Sequence, residues 1–130
     1  MKTEVRREIL LPAPPDDVWA ALTEAERLEE WFANDVELDP RPGGEGTFRW
    51  NDGEERHAVV EVAEEGRRLS FDWSDGEAGV TTTVDFTLQE VEEGTRLTVV
   101  ESAPVQVEAC AFEWTWALEL QAFSAHAALV

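Results

Sequence analysis

Residues able to do acid–base, metal or nucleophilic chemistry are few here and scattered. Only two histidines, His57 and His126, and one cysteine, Cys110, occur in 130 residues. His57 alternates with the apolar Ala58 and Val60, so a strand there turns it toward solvent, and His126 falls in a different element. A structural metal needs three or four converging ligands, and neither His-x-x-x-His nor Cys-x-x-Cys spacing occurs. No metal is expected. Cys110, near the start of a helix, could be activated by the helix dipole, but a buried structural thiol is the better reading. No Ser, His and acid arrangement stands out for nucleophilic catalysis, so no catalytic residue is assigned. The run Gly43, Gly44 and Gly46 is followed by neither Lys-Ser/Thr nor a helix, which excludes a phosphate loop. No cofactor is expected.

What remains is binding chemistry. The chain has six Trp and six Phe but no Tyr. Strand and helix parity turn Trp31, Phe48, Trp50, Phe71, Trp73 and Phe86 inward, with Trp116 facing them from a terminal helix. These rings can be ordinary core. So many rigid rings around one helix also pack imperfectly, and ring-lined hollows suit apolar or aromatic ligands. Glu101 is the exception among the inward positions, following Leu97 and Val99 at period two. Facing a hollow, it would fix the orientation of a ligand hydroxyl, carbonyl or amine. At a frayed strand end it would simply meet water.

The elements that must position these side chains follow from pattern. Glu4 to Leu11 is extended and stops at Pro12. Pro14 and Pro15 suit a helical first turn, and Asp16 and Asp17 suit the positive end of its dipole. Val18, Ala21 and Leu22 then give one apolar stripe. Thr23 with Glu26 predicts a capping box that starts a second helix at once, with Leu28, Trp31 and Phe32 on one face. Beyond it comes a short strand ended by Pro40 and Pro42, then a strand through Trp50.

From there strands and turns alternate. Arg56 to Glu64 carries Ala58, Val60 and Val62 on one face. Leu69, Phe71 and Trp73 share a face of the next strand. Thr82, Val84, Phe86 and Leu88 alternate in Thr81 to Glu90, and Leu97 and Val99 point inward in Thr95 to Glu101. Such spacing predicts an antiparallel meander with one wet face. After Pro104 the segment "VEACAFEWTWALELQAFSAHAALV" has no Gly or Pro and is apolar over more than half a helical circumference, so a buried helix is predicted. The fold class is therefore α+β: a curved seven-stranded antiparallel sheet around a long C-terminal helix, with two short helices after the first strand. Residues 1–130 form one domain, a length able to bury roughly two-thirds of its unfolded surface.

Composition excludes several partners. Twenty-nine acidic against ten basic residues leave a net charge of −19, which repels phosphate backbones and anionic lipid. Neither nucleic acid nor a membrane is an expected partner. No apolar run reaches the ~20 residues of a membrane span, and "MKTEVRREILL" has no signal-peptide core, so a cytoplasmic protein is expected.

The order of elements, with these words, resembles the START-like (Bet v 1-like, helix-grip, SRPBCC) superfamily, in its branch of activator of heat-shock protein 90 ATPase homologues. The matching segments are "LLPAPPDDVWAALTEAERLEEWF", "GGEGTFRW", "VVEVAEEGRRLSFDW", "TTTVDFTLQEVEEGTRLTVVES" and "FEWTWALELQAF", which together cover nearly the whole chain. Where that family often has Gly-Trp near the start of its terminal helix, this chain has Glu113-Trp114. The resemblance implies the helix-grip fold, an apolar cavity between sheet and helix, and a small hydrophobic ligand. It also implies two alternatives, a co-chaperone-like interaction module with a chaperone as partner and a cyclase- or hydrolase-type enzyme. No shared catalytic motif is carried over. Ligand binding is the preferred expectation, because one domain leaves little surface for bridging and no acid–base pair is evident.

Overall fold

The computed structural model describes residues 2–74 and 81–104. In chain order these form β1 (Lys2–Leu11), α1 (Pro15–Thr23), α2 (Ala25–Trp31), β2 (Asp35–Leu38), β3 (Glu45–Arg49), β4 (Glu55–Glu64), β5 (Arg68–Ser74), β6 (Thr81–Val91) and β7 (Gly94–Pro104). The strands make one antiparallel sheet, ordered β1-β7-β6-β5-β4-β3-β2. The α+β class, the strand number and the two short helices agree with expectation. The predicted terminal helix, with Trp116, lies outside the described residues.

Strands β2 to β7 follow one another as neighbours, while β1 joins the far edge and pairs with β7 from Lys2 opposite Pro104 to Leu11 opposite Thr95. The α1–α2 elbow therefore carries the chain from one edge strand to the other. Its start obeys the sequence. Pro14 caps α1, Pro15 begins it and Asp16 and Asp17 occupy its first turn, where a missing N–H costs nothing and negative charge is favoured.

The restart differs from expectation, because Thr23 is still the last residue of α1. Its hydroxyl donates back to the Trp19 carbonyl at 2.8 Å instead of capping the next helix, the usual competing bond of a helical threonine. Glu24, extended at φ −86° and ψ 124°, becomes the N-cap of α2, with no side-chain cap bond.

A second difference lies in β4. The pairing with β5 shifts between Val60, opposite Phe71, and Val62, opposite Ser70. This bulge inserts one residue and reverses parity beyond it. Ala63, opposite Leu69, takes the inward position expected of Val62 and packs on the core. Backbone bonds from Gly43 N to Val60 O and from Val60 N to Gly44 O brace the bulge with the glycine loop. That is the work of the cluster that is not a phosphate loop.

One glycine is needed where the elbow leaves the sheet. Gly94 has φ +140° and lies so close to the Leu11 carbonyl that a Cβ would overlap it. Next to it the Thr95 hydroxyl donates to the Ala13 carbonyl at 2.7 Å. Together they pin the junction of β1 and α1 to the start of β7.

The inner face of the sheet is apolar, from Val36 and Phe48 through Val60, Phe71, Val84 and Leu88 to Leu97 and Val99, and Val18, Leu22 and Leu28 of the elbow join it in one core. The outer face carries ion pairs such as Arg68–Asp85 and Arg96–Glu8. No helix among the described residues is long and apolar enough to cross a membrane.

Candidate functional site

Inner-face rings form one connected surface. Phe48, Phe71 and Trp73 meet pairwise, with centroids 5.5–6.0 Å apart, and Phe86 extends the set from Phe71 at 6.1 Å. From the elbow, Phe32 reaches down to Phe48 at 5.4 Å edge-on and lies nearly parallel to Trp73 at 6.0 Å and 17°. Tilted and edge-on contacts of this kind are those the ring quadrupole favours.

Two of the tryptophans use their polar handles to hold the scaffold. Trp31 Nε1 donates at 3.0 Å to the Ala21 carbonyl, one of the last-turn carbonyls that α1 itself leaves without a helical partner. Trp50 Nε1 donates at 2.8 Å to the Phe32 carbonyl, at the end of α2. Trp31 is thus buried between the helices, and Trp50 lies just beyond β3 and ties the elbow to the sheet.

The third indole serves a different purpose. Trp73 Nε1 donates to Glu101 Oε2 at 3.0 Å, and the Thr82 hydroxyl donates to the same oxygen at 2.6 Å. Strand pairing explains the convergence, since Trp73 lies opposite Thr82 and Glu101 lies opposite Val84, two residues on. Glu101 is fully buried, and β7 continues in register to Pro104. The expected alternative of a frayed end does not occur.

Arg56 completes this end of the face. It lies opposite the buried Phe48 and on the same side of β4 as the buried Ala58. Its guanidinium carbon sits 4.6 Å from the Trp73 ring centroid, and its side chain is 13% exposed. Glu54 accepts from its Nε at 3.2 Å. A cation over the ring and an acid at the ring's N–H edge thus share one tryptophan. The arrangement places a guanidinium and a buried carboxylate beside flat apolar surface.

Of the residues singled out in the sequence, the described structure joins Trp31, Phe48, Trp50, Phe71, Trp73 and Phe86 in the core and places Glu101 at its polar end. Trp116 is outside the described residues. Sequence reasoning passed over Phe32, Thr82 and Arg56 as site residues. Phe32 and Thr82 were already on inward faces. Arg56 had the parity of Ala58 and Val60, a signal that was present but overridden by its charge. Among the described residues no three His, Cys, Asp or Glu side chains gather in a way that could hold a metal.

Residues 12–125 match the family described as Activator of Hsp90 ATPase homolog 1-like protein. No curated protein matches the chain. Among solved structures, protein MLL2253 from Mesorhizobium loti is 22% identical, with a TM-score of 0.85 over 95% of each chain. The Aha1 dimer from Colwellia psychrerythraea is 22% identical, with a TM-score of 0.79 over 94% of this chain and 93% of that one. DynU16, a protein of the dynemicin biosynthetic locus, is 28% identical with a TM-score of 0.85, and the match covers 95% of this chain but 46% of DynU16. With the family match running over most of its length, the chain belongs to the Activator of Hsp90 ATPase homolog 1-like protein family.

Proposed function

We propose that this protein binds a small hydrophobic molecule on the inner face of the sheet. Trp31, Phe48, Trp50, Phe71, Trp73, Phe86 and Glu101 line the site, with Trp116 from a long terminal helix closing a helix-grip domain. The observation that carries this reading is the connected ring surface itself. Two helices of nine and seven residues, about 13 and 10 Å long, are too short to cover the inner face of seven strands. Family membership supports it, and so does the biosynthetic setting of DynU16. Rigid aromatic walls with a few placed polar groups are the usual make-up of small-molecule sites.

The neutral dye Nile red tests the proposal. Added to the native protein at neutral pH, it should bind saturably, at about one molecule per chain, with a blue-shifted emission and quenched tryptophan fluorescence. Dye binding only to acid- or urea-loosened protein would mean that the native interior is solid, and the proposal would fail.

A further inference from the structure

We infer that two copies of this chain join at their β1 edges, with the strands antiparallel and Val5 opposite the partner's Val5, so that one sheet runs through both. This pairing is independent of any ligand on the inner face.

The edge is built for pairing. Among the described residues β1 has a strand neighbour on the β7 side alone. Its other side presents backbone N–H and C=O groups to whatever strand can reach them. The strand is ten residues long and pairs with β7 without a shift in register, so neither bulge nor proline interrupts it. The opposite edge of the sheet, β2, has four residues, and short edges are poor templates.

Charge points to a second copy as the occupant. The chain has 29 acidic and ten basic residues, and a second copy is repelled by most of such a surface. In β1, however, three basic residues stand against two acidic ones, so the local charge does not oppose the approach. Charges on an edge strand usually guard it, but here their order makes them complementary. Glu4, Arg6 and Glu8 alternate along the outer face and are exposed.

A two-fold axis normal to the sheet keeps inner face with inner face, so residues of like parity oppose each other, and a slip of one residue would turn every side chain to the wrong face. With Val5 on the axis, Glu4 lies opposite the partner's Arg6, Arg6 opposite the partner's Glu4 and Glu8 opposite the partner's Lys2. Sliding one strand by two residues sets Glu4 against the partner's Glu4 in one direction and Arg6 against the partner's Arg6 in the other. Two residues beyond the latter, Arg7 meets the partner's Arg7. Opposite charges across strands attract and like charges repel, so the first register is the one selected. On the inner side Val5 is buried and forms with Ala103 a small apolar cluster apart from the main core. The partner's Val5 extends that cluster across the axis.

Sedimentation velocity on the full chain, from micromolar to near-millimolar protein, tests this. The wild type should move from monomer toward dimer as concentration rises. Glu4→Arg and Arg6→Glu should each weaken association about tenfold or more, because two symmetry-related pairs turn from attractive to repulsive. An equimolar mixture of the two variants should regain wild-type association, since each cross-strand pair then unites opposite charges. The double variant Glu4→Arg/Arg6→Glu should do so by itself, and it keeps the net charge. Glu61→Arg, on β4, changes the net charge as Glu4→Arg does and should not weaken association.

Should a single variant lose its native circular dichroism, Glu4→Gln or Arg6→Gln replaces it, with a smaller loss expected. A wild type that stays monomeric throughout, a dimer indifferent to the changes at Glu4 and Arg6, or a mixture no tighter than its components would overturn the inference.

Discussion

Two arginine–carboxylate arrangements sit on opposite faces of the same sheet. On the outer face Arg68 of β5 grips Asp85 of β6 through both Nε and a terminal nitrogen, with the arginine side chain 45% exposed. The Asp85 carboxylate, by hydrogen bonding first and charge second, raises the Arg68 guanidinium above its already high value. On the inner face Arg56 lies on the Trp73 ring, and Glu101 is buried at that ring's edge. The outer pair has the better fork geometry and matters less, because water and salt compete for both partners. Glu101 has no solvent to fall back on, so every lost partner is felt there. Depth decides what a charge is worth here.

The sharpest way to test that contrast is to remove the residue shared by the inner groups. Trp73→Ala deletes a buried ring that touches Phe32, Phe48 and Phe71 and takes a donor from Glu101. Urea unfolding should show a loss of about 3–5 kcal/mol, the range for large aromatic truncations. A loss below about 1 kcal/mol would mean that the inner face is loosely packed and that its rings are not a formed wall.

Next in size is the comparison of the two acids. Glu101→Ala leaves the Trp73 N–H and the Thr82 hydroxyl without their acceptor, and each buried donor left unsatisfied costs about 1–3 kcal/mol. Part of that is offset because a buried charge is also removed. Asp85→Ala should cost at most about 1 kcal/mol. The same unfolding curves decide the order. If Asp85→Ala proved the more damaging, burial would not be the governing variable.

The two faces also differ in how much of them the sequence shows. Period-two alternation placed Phe71, Trp73, Val84, Phe86, Leu97 and Val99 inward, and the structure buries them all. Gly53 and Gly66, with φ of +94° and +75°, occupy the turns into β4 and β5. Parity failed where register slipped. The bulge after Val60 depends on the glycine loop of a neighbouring strand, and no local pattern in β4 announces it. The capping box failed for a related reason, because Thr23 had two possible partners and bonded backward to Trp19.

The site itself was half legible. Glu101 stood out by its parity as an acid among inward residues, whereas Arg56, with the parity of Ala58 and Val60, sits at a strand's start, where charge argues for solvent. The cross-strand partner Phe48 and the Trp73 ring show that it faces inward.

The smallest expected effect comes from the pair most fully in water. Asp39 and Arg41, in the connection between β2 and β3, form a two-bond fork at 2.8 and 2.9 Å. The arginine side chain is 80% exposed. Hydrogen bonding to Arg41, ahead of its charge, holds the Asp39 carboxyl below the usual aspartate value. A carboxylate whose folded pKa is depressed adds stability above its unfolded pKa and loses it as pH falls through the folded value. The loss should therefore fall in the acid range, below ordinary aspartate titration, and leave neutral-pH stability untouched. Carbon-detected NMR titration should place the Asp39 midpoint below that of a free aspartate, and Arg41→Ala should return it to the ordinary value. Melting of Arg41→Ala at neutral pH should be lowered only slightly, since the stability linked to an exposed pair is small. A clear drop in melting temperature would show that good fork geometry counts even in full solvent, and the contrast between the two faces would then need a cause other than depth.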